Sequence, residues 1–174
     1  SQCLAMTWNK GITPLLLAFA AHYRKFPHSR LLLKGADFLY GNMFARAYQK
    51  ALKQDPANLE RARDAIIYNA ENLSHEALAM LYRASDAYVS PYLAEAFNLP
   101  VLEAVASGLP VIVTDGGPTD DFCRAGFSLK IASEIFHSEK GRYLQPDIAS
   151  LIAQMAVAVE NDALRETAAG SGPQ

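Results

Sequence analysis

A chain of 174 residues is long enough for one domain with a substantial core, and 51% hydrophobic with 20% charged residues is typical of a globular protein. The formal net charge is −2, and the 16 lysines and arginines are scattered along the chain rather than clustered. A broad basic face that would attract nucleic acid or anionic lipid is therefore excluded.

The sequence contains no apolar run near the roughly 18 residues of a membrane span and no charged leader with a cleavage site, so we expect no transmembrane segment. Cys3 and Cys123 lie far apart, without CxxC or Cys/His ligand spacing. This favours buried free thiols over a disulfide or a metal site, and it fits a reducing cytoplasm.

Apolar runs alternate with helical patterns along the chain, which is the signature of repeated βα units and a parallel sheet. Strands are predicted at 3–7, 30–34, 65–68, 87–90, 111–114 and, more weakly, 128–131. One helical face recurs between Ile12 and Tyr23, and another between Ile148 and Val159. The predicted fold class is α/β, a doubly wound parallel six-stranded sheet that is Rossmann-like, with helices on both faces.

The stretch from residue 36 to 64 is less regular. Gly41 and the pair Asp55-Pro56 punctuate it, which predicts a helix between them and favours another after Pro56. Further along, Ser74 is a predicted N-cap, and Leu73 before it can pack against Leu78 one turn inside the helix.

Two carboxylates separated by seven residues, Glu95 and Glu103, flank a predicted helix start. Asn98 can cap this helix, Pro100 suits its first turn, and the predicted apolar face holds Leu102, Val105 and Ala106. Unpaired backbone N–H groups and the positive end of the helix dipole make such a start an anion site. A diphosphate could lie there, with the two glutamates accepting hydrogen bonds from sugar hydroxyls.

The surrounding sequence carries a specific resemblance. Residues 85–118, SDAYVSPYLAEAFNLPVLEAVASGLPVIVTDGGP, closely resemble the donor-binding half of retaining glycosyltransferases of the GT-B fold, especially the family 4-like enzymes (glycosyl transferases group 1). The segment Trp8-Asn9-Lys10-Gly11-Ile12 is similar to the family's opening Lys-Gly helix start. The resemblance covers roughly residues 3 to 160.

The resemblance implies roles for these residues. Glu95 would meet the donor sugar's hydroxyls, Glu103 the nucleotide ribose, and Lys10 the diphosphate leaving group, whose charge it would stabilise without a metal. The family usually has an arginine five or six residues before this lysine, where this chain has Leu4 and Ala5. Either Lys34 or a group from a missing domain compensates, or donor handling differs; a solvated strand end explains Lys34 equally well.

Other residues of this rim have two interpretations each. Phe97, Asn98 and Leu99 would contribute backbone N–H groups more than side chains, and Phe97 is expected in the core. Gly116 and Gly117 could bring the chain close to a ligand or simply form a tight turn before a helix at Pro118.

Several other chemistries lack support in the sequence. Asp120-Asp121 has no third ligand at metal spacing, so a favourable charge at a helix start is the preferred interpretation, and surface roles are expected for His22, His28, His75 and His137. There is no Gly-x-Ser-x-Gly elbow at Ser90 and no GxGxxG after the first strand. Hydrolase and dinucleotide dehydrogenase activities are therefore unsupported.

The predicted protein is thus the nucleotide-sugar-binding domain, residues 1–165, of a GT-B enzyme. Residues 166–174 are expected to be a disordered tail or a cloning remnant. The sequence begins at Ser1 without a methionine, which suggests an excised C-terminal half. Its expected partners are a nucleoside-diphosphate-sugar donor and an N-terminal domain that holds the acceptor and could provide contact with the inner membrane surface.

The isolated domain is expected to transfer little. Two alternatives stay open: half of a GT-B nucleotide-sugar epimerase, or a non-catalytic module that binds nucleotide sugar or scaffolds a partner.

Overall fold

A computed structural model describes residues 8–35, 41–139 and 141–170. The helices in these ranges are α1 (Ile12–Tyr23), α2 (Met43–Gln54), α3 (Pro56–Ala62), α4 (His75–Arg83), α5 (Leu99–Ala106), α6 (Ile148–Glu160) and α7 (Asp162–Gly170). The strands are β1 (Leu31–Lys34), β2 (Ile66–Asn69), β3 (Tyr88–Ser90), β4 (Val111–Thr114), β5 (Ser128–Ile131), β6 (Ser133–Ser138) and β7 (Gly141–Pro146).

The first five strands pair in parallel, as the βα pattern predicts. β1 pairs with β2, and β3, β4 and β5 form a second sheet in that order. The strand predicted at 3–7 lies outside the described residues, as do Leu4 and Ala5, where the family's arginine is missing. The chain therefore has the predicted α/β class with parallel sheets.

Strand β4 shows how helices cover both faces of the sheet. Side chains alternate along a strand, so neighbouring residues belong to opposite layers. Ile112 joins the core formed with α1, α3 and α6, whereas Val111 and Val113 join a second core with α4 and α5. All three residues are at most 1% exposed, which explains why this strand is an unbroken apolar run.

Capping side chains begin several helices where the sequence predicts. The Ser74 hydroxyl accepts a hydrogen bond from the Ala77 N–H at the start of α4. Asn42 and Asp55 cap α2 and α3 in the same way, so both helices expected within 36–64 are present. The sequence therefore specifies these starts locally.

An antiparallel hairpin, β6 with β7, follows the parallel strands and was not predicted. The side chains of Glu134, Ile135, Phe136 and His137 are all exposed. Because one-sided burial is what produces the alternating pattern of a strand, a strand exposed along its length gives no such signal.

The C-terminal end is ordered further than expected. Helix α7 extends to Gly170 and buries Ala168, so the described chain is helical, not disordered, beyond residue 165. Residues 171–174 lie outside the described part. In the described ranges, no helix is both long enough and apolar enough to cross a membrane.

Candidate functional site

The segment before α1 and the loop after β3 bring Lys10 and Glu95 together. The Asn9 carbonyl accepts a hydrogen bond from the Leu93 N–H at 2.7 Å, and the Asn9 side-chain amide donates to the Ala94 carbonyl at 2.8 Å. These bonds tie the residue before Lys10 to the residue before Glu95. The two predicted catalytic residues are consequently neighbours although 85 positions separate them.

The approach of the two loops depends on glycine at position 11. Gly11 has φ +67°, and a Cβ at this position would lie 1.8 Å from the Pro91 carbonyl oxygen. Any side chain would push the loops apart and would also strain the backbone. The structure therefore explains why glycine follows Lys10: Gly11 allows the close approach to Pro91 that positions the lysine.

Lys10 and Glu95 form an ion pair between Nζ and Oε1. Their side chains are 17% and 9% exposed, so the pair is shielded from bulk water but reachable from one side. A lysine ammonium has three donors, and a carboxylate has lone pairs on both oxygens. Each partner can therefore hold the other and still contact a ligand.

Asn98 sits at the start of α5 but does not cap it with its side chain, which corrects the prediction. It adopts a left-handed conformation with φ 69°, and its Nδ2 donates to the hydroxyl of Ser90 at 3.0 Å. Asn98 and Ser90 are both buried. A buried hydroxyl needs a partner, so the amide fixes the loop after Glu95 onto the end of β3.

Two side chains of this loop and helix are more exposed than expected. Phe97 is 46% exposed and packs against Phe122 with the two rings tilted and their centroids 5.3 Å apart, so it is not a core residue. Leu99 is 58% exposed. Helix α5 buries Val101 and Ala104. Of the predicted apolar face, Val105 packs half-buried against the second core, whereas Leu102 and Ala106 are exposed.

Glu103 lies one turn inside α5 and is exposed. Its Oε2 accepts a hydrogen bond at 2.9 Å from the hydroxyl of Tyr82, whose ring is buried in the second core. The tyrosine thus orients one carboxylate oxygen from below while the other can face a ligand. No sequence motif pointed to Tyr82.

Hydrogen bonds of Tyr92 connect the end of β3 to the end of β4. Its hydroxyl bonds to the Thr114 carbonyl at 3.0 Å and to the Thr119 hydroxyl at 2.8 Å, and the Thr114 hydroxyl donates back to the Tyr92 carbonyl. Burial raises the pKa of Tyr92 to about 12. A Cβ on Gly117 would lie 2.3 Å from this hydroxyl, so glycine at position 117 leaves space for the hydrogen-bonded Tyr92 side chain.

The preceding residue, Gly116, belongs to a tight turn. It has φ +82°, and its N–H donates to Oδ2 of Asp120 at 2.8 Å. Asp120 also pairs with Lys130. Of the two interpretations of this glycine pair, the turn has direct structural support, and Asp120 has partners that do not require a metal.

Lys34 is not a solvated strand end. The residue is 6% exposed, and its ammonium donates to the Gly35 carbonyl. Among the described residues it forms no ion pair. A buried ammonium needs hydrogen-bond partners, and the Gly35 carbonyl supplies one.

The remaining titratable candidates do not join the site. The described ranges contain no cluster of three or more His, Cys, Asp or Glu that could hold a metal ion. His22 is buried rather than on the surface: its Nε2 lies 3.1 Å from the Ser29 hydroxyl, and burial lowers its pKa. Cys123 is a buried free thiol, as predicted, and burial raises its pKa to about 11; Cys3 lies outside the described residues.

Comparison with known sequences identifies the family of this chain. Residues 5–167 match the model of the family described as glycosyl transferases group 1. The chain is 30% identical over 125 residues to a lipopolysaccharide core biosynthesis mannosyltransferase, LpsB, of Rhizobium meliloti, which covers 72% of this chain and 32% of that protein. It is also 30% identical over 107 residues to an alpha-monoglucosyldiacylglycerol synthase of Streptococcus pneumoniae, covering 62% of this chain and 22% of that protein.

Solved structures agree with this fold. The C-terminal domain of the glycosyl transferase group 1 protein LpcC from Francisella tularensis superposes with a TM-score of 0.69 at 20% identity, covering 97% of this chain and 78% of that one. Sucrose-phosphate synthase from Thermosynechococcus elongatus gives 0.67 at 24% identity, covering 96% and 39%. The chain spans about a third or less of the curated relatives named above. With a GT-B half-fold and a family match over nearly its whole length, the chain belongs to the glycosyl transferases group 1 family.

Proposed function

We propose that this chain is the donor-binding half of a retaining glycosyltransferase that transfers a hexosyl group from a nucleoside diphosphate. The observation that carries the proposal is the partly shielded Lys10–Glu95 pair, which lies directly before the start of α5. A cation, a carboxylate and the free N–H groups of a helix start are the three features needed for a diphosphate and the sugar attached to it.

The donor would extend across this rim in a defined order. The diphosphate lies against the start of α5 and the backbone of Phe97, Asn98 and Leu99, with Lys10 as its cation. Glu95 accepts hydrogen bonds from the sugar, and Glu103, oriented by Tyr82, accepts them from the ribose. Lys34 is the best candidate for a second phosphate contact because it is a buried cation without a carboxylate partner in the described residues.

The ion pair supports a simple account of leaving-group stabilisation. In the free domain, Glu95 neutralises Lys10. When donor binds, the ammonium can share its donors between the carboxylate and a phosphate oxygen. As the glycosidic bond breaks, negative charge builds on that oxygen, and the nearby cation stabilises it. This account gives no role to a metal ion.

The complete enzyme would need an acceptor-binding domain on the N-terminal side of this chain. The matched regions cover only 32% and 22% of the relatives named above, and these relatives support hexosyl transfer because they are named as mannosyl and glucosyl enzymes. We therefore propose that the isolated chain binds donor but transfers little. A cytoplasmic location is proposed as well, on the free thiol of Cys123.

Calorimetric titration of the chain with nucleoside diphosphates and the matching nucleosides tests the donor site. Lys10→Ala should weaken diphosphate binding by roughly tenfold to a hundredfold, as expected for one charged hydrogen bond, and should leave nucleoside binding nearly unchanged. Lys53→Ala is the matched control, since this exposed lysine lies at the far end of α2. Equal weakening of both ligand types, or an equal effect of the control, would remove Lys10 from the phosphate site.

A further inference from the structure

A cavity of about 830 Å³ lies beside the proposed donor site and takes no part in it. It is bounded by the exposed side of α1, by α2, and by the hairpin strand β7 with the first residue of α6. Trp8 and Leu93 line the end nearest the donor site, each two positions before Lys10 and Glu95 respectively. Its volume falls within the range of small-molecule sites, roughly 300 to 1,000 Å³.

One wall of the cavity is basic. Arg46 and Lys50 lie four residues apart on α2, so both project to the same side of the helix. Neither forms an ion pair within the described parts of the chain. In a chain of net charge −2, two unpaired cations on one cavity wall favour an anion, and arginine suits a phosphate because its fork donates two parallel hydrogen bonds.

The other end of the cavity is aromatic and polar. Trp8 is 50% exposed, and Tyr143 of the hairpin meets its ring edge-on at 5.7 Å. An indole held in this way offers a flat apolar face, which is the surface on which the C–H groups of a sugar ring pack. Glu139 and Gln145 line the hairpin side and can accept hydrogen bonds from hydroxyls.

We propose that this cavity binds a phosphorylated saccharide as the acceptor, with its ring on Trp8 and its phosphate between Arg46 and Lys50. The proposal rests on the proposed function, because the lining residues Trp8 and Leu93 belong to the same two loops as the Lys10–Glu95 pair, where the transferred sugar would be released from its diphosphate. It assigns part of acceptor recognition to this half of the enzyme. The hairpin β6–β7 then has a function, since it supplies the wall opposite the basic helix.

The chain contains a single tryptophan, so tryptophan fluorescence reports on the surroundings of Trp8. Titration with a hexose 6-phosphate should change the Trp8 emission saturably, whereas the unphosphorylated hexose and inorganic phosphate should bind more weakly. The double variant Arg46→Gln/Lys50→Gln should weaken hexose phosphate binding by about tenfold or more, without changing binding of the hexose. Lys53→Gln, on the same helix but not in the cavity, should behave as the wild type.

Each contrary result has a distinct meaning. An absent response to hexose phosphate overturns the proposal, and so does a response that the Arg46/Lys50 variant leaves intact. If inorganic phosphate binds as tightly as hexose phosphate, the site is an anion site and the saccharide assignment is wrong. A response lost in Lys10→Ala belongs to the donor site and also refutes the cavity assignment. A response that survives in Lys10→Ala keeps the cavity assignment even if diphosphate binding proves independent of Lys10.

Discussion

Replacing Gly11 by alanine tests the contact that places Lys10 beside Glu95, and the chain offers a matched control. Gly11 and Gly41 have nearly the same backbone conformation, φ +67° and +68°. A Cβ at Gly11 would lie 1.8 Å from the Pro91 carbonyl oxygen, whereas no atom of the described residues lies within 4 Å of a Cβ at Gly41. Both substitutions carry the left-handed strain of about 1–2 kcal/mol, but only Gly11→Ala adds an overlap costing about 1–3 kcal/mol more.

Urea denaturation of the two variants measures the difference directly. We expect Gly41→Ala to lose about 1–2 kcal/mol of unfolding free energy and Gly11→Ala roughly 2–5 kcal/mol. Nucleoside diphosphate binding should weaken only in Gly11→Ala, because the Lys10 loop moves away from Glu95. Equal losses of stability in the two variants, or unchanged diphosphate affinity in Gly11→Ala, would refute the argument that this close approach builds the site.

Three further expectations concern groups around the site and in the core. Tyr82→Phe should reduce the preference for ribo- over 2′-deoxyribonucleoside diphosphates by about tenfold, because Glu103 loses its 2.9 Å partner; an unchanged preference would show that Tyr82 does not orient Glu103. In a Cys3→Ser variant, Cys123 should resist a thiol reagent at neutral pH until urea unfolds the protein, because burial raises the pKa of its thiol to about 11. Rapid labelling of Cys123 in the folded protein would contradict this expectation. Burial lowers the pKa of His22 in the folded protein below 6.5. As the pH falls, the unfolded chain therefore takes up this proton before the folded protein does, and the free energy of unfolding should decrease from pH 6.5 towards the lowered native pKa. His22→Gln should flatten this slope in pH-dependent unfolding, and an unchanged slope would exclude His22 as its source.

The parallel strands could be predicted from the sequence because their burial is local information. Val111–Thr114 is buried at every position, which leaves an uninterrupted apolar run. The predicted bounds of this strand and of Ser128–Ile131 match the structure. Those of β1 and β3 differ by one residue at the start, and β2 is displaced by one residue at both ends. Capped helix starts such as Ser74 were equally predictable, because the capping hydroxyl and the N–H group that donates to it lie within one turn.

The details of the site depend on contacts distant in sequence, and there the sequence was insufficient. In the sequence, Asn98 has the position of an N-cap, but in the structure its side-chain amide donates a hydrogen bond to the buried hydroxyl of Ser90. From the sequence, His22 is expected on the surface. In the structure the Phe26 ring stacks on it with a centroid distance of 4.6 Å, and the Ser29 hydroxyl forms a hydrogen bond with it. The Lys10–Glu95 contact likewise follows from Asn9, whose bonds to the second loop no spacing rule reveals.

The measurement that tests the central claim most directly is the turnover of the complete enzyme carrying Glu95→Gln. The amide oxygen of glutamine can still accept a hydrogen bond from Lys10, so the variant should remain folded at the assay temperature. Transfer should fall roughly tenfold to a hundredfold through loss of one charged hydrogen bond to the sugar. Glu60→Gln, an exposed glutamate of α3, is the control and should retain activity. Wild-type turnover in Glu95→Gln would show that the Lys10–Glu95 pair is structural and that the sugar is held elsewhere.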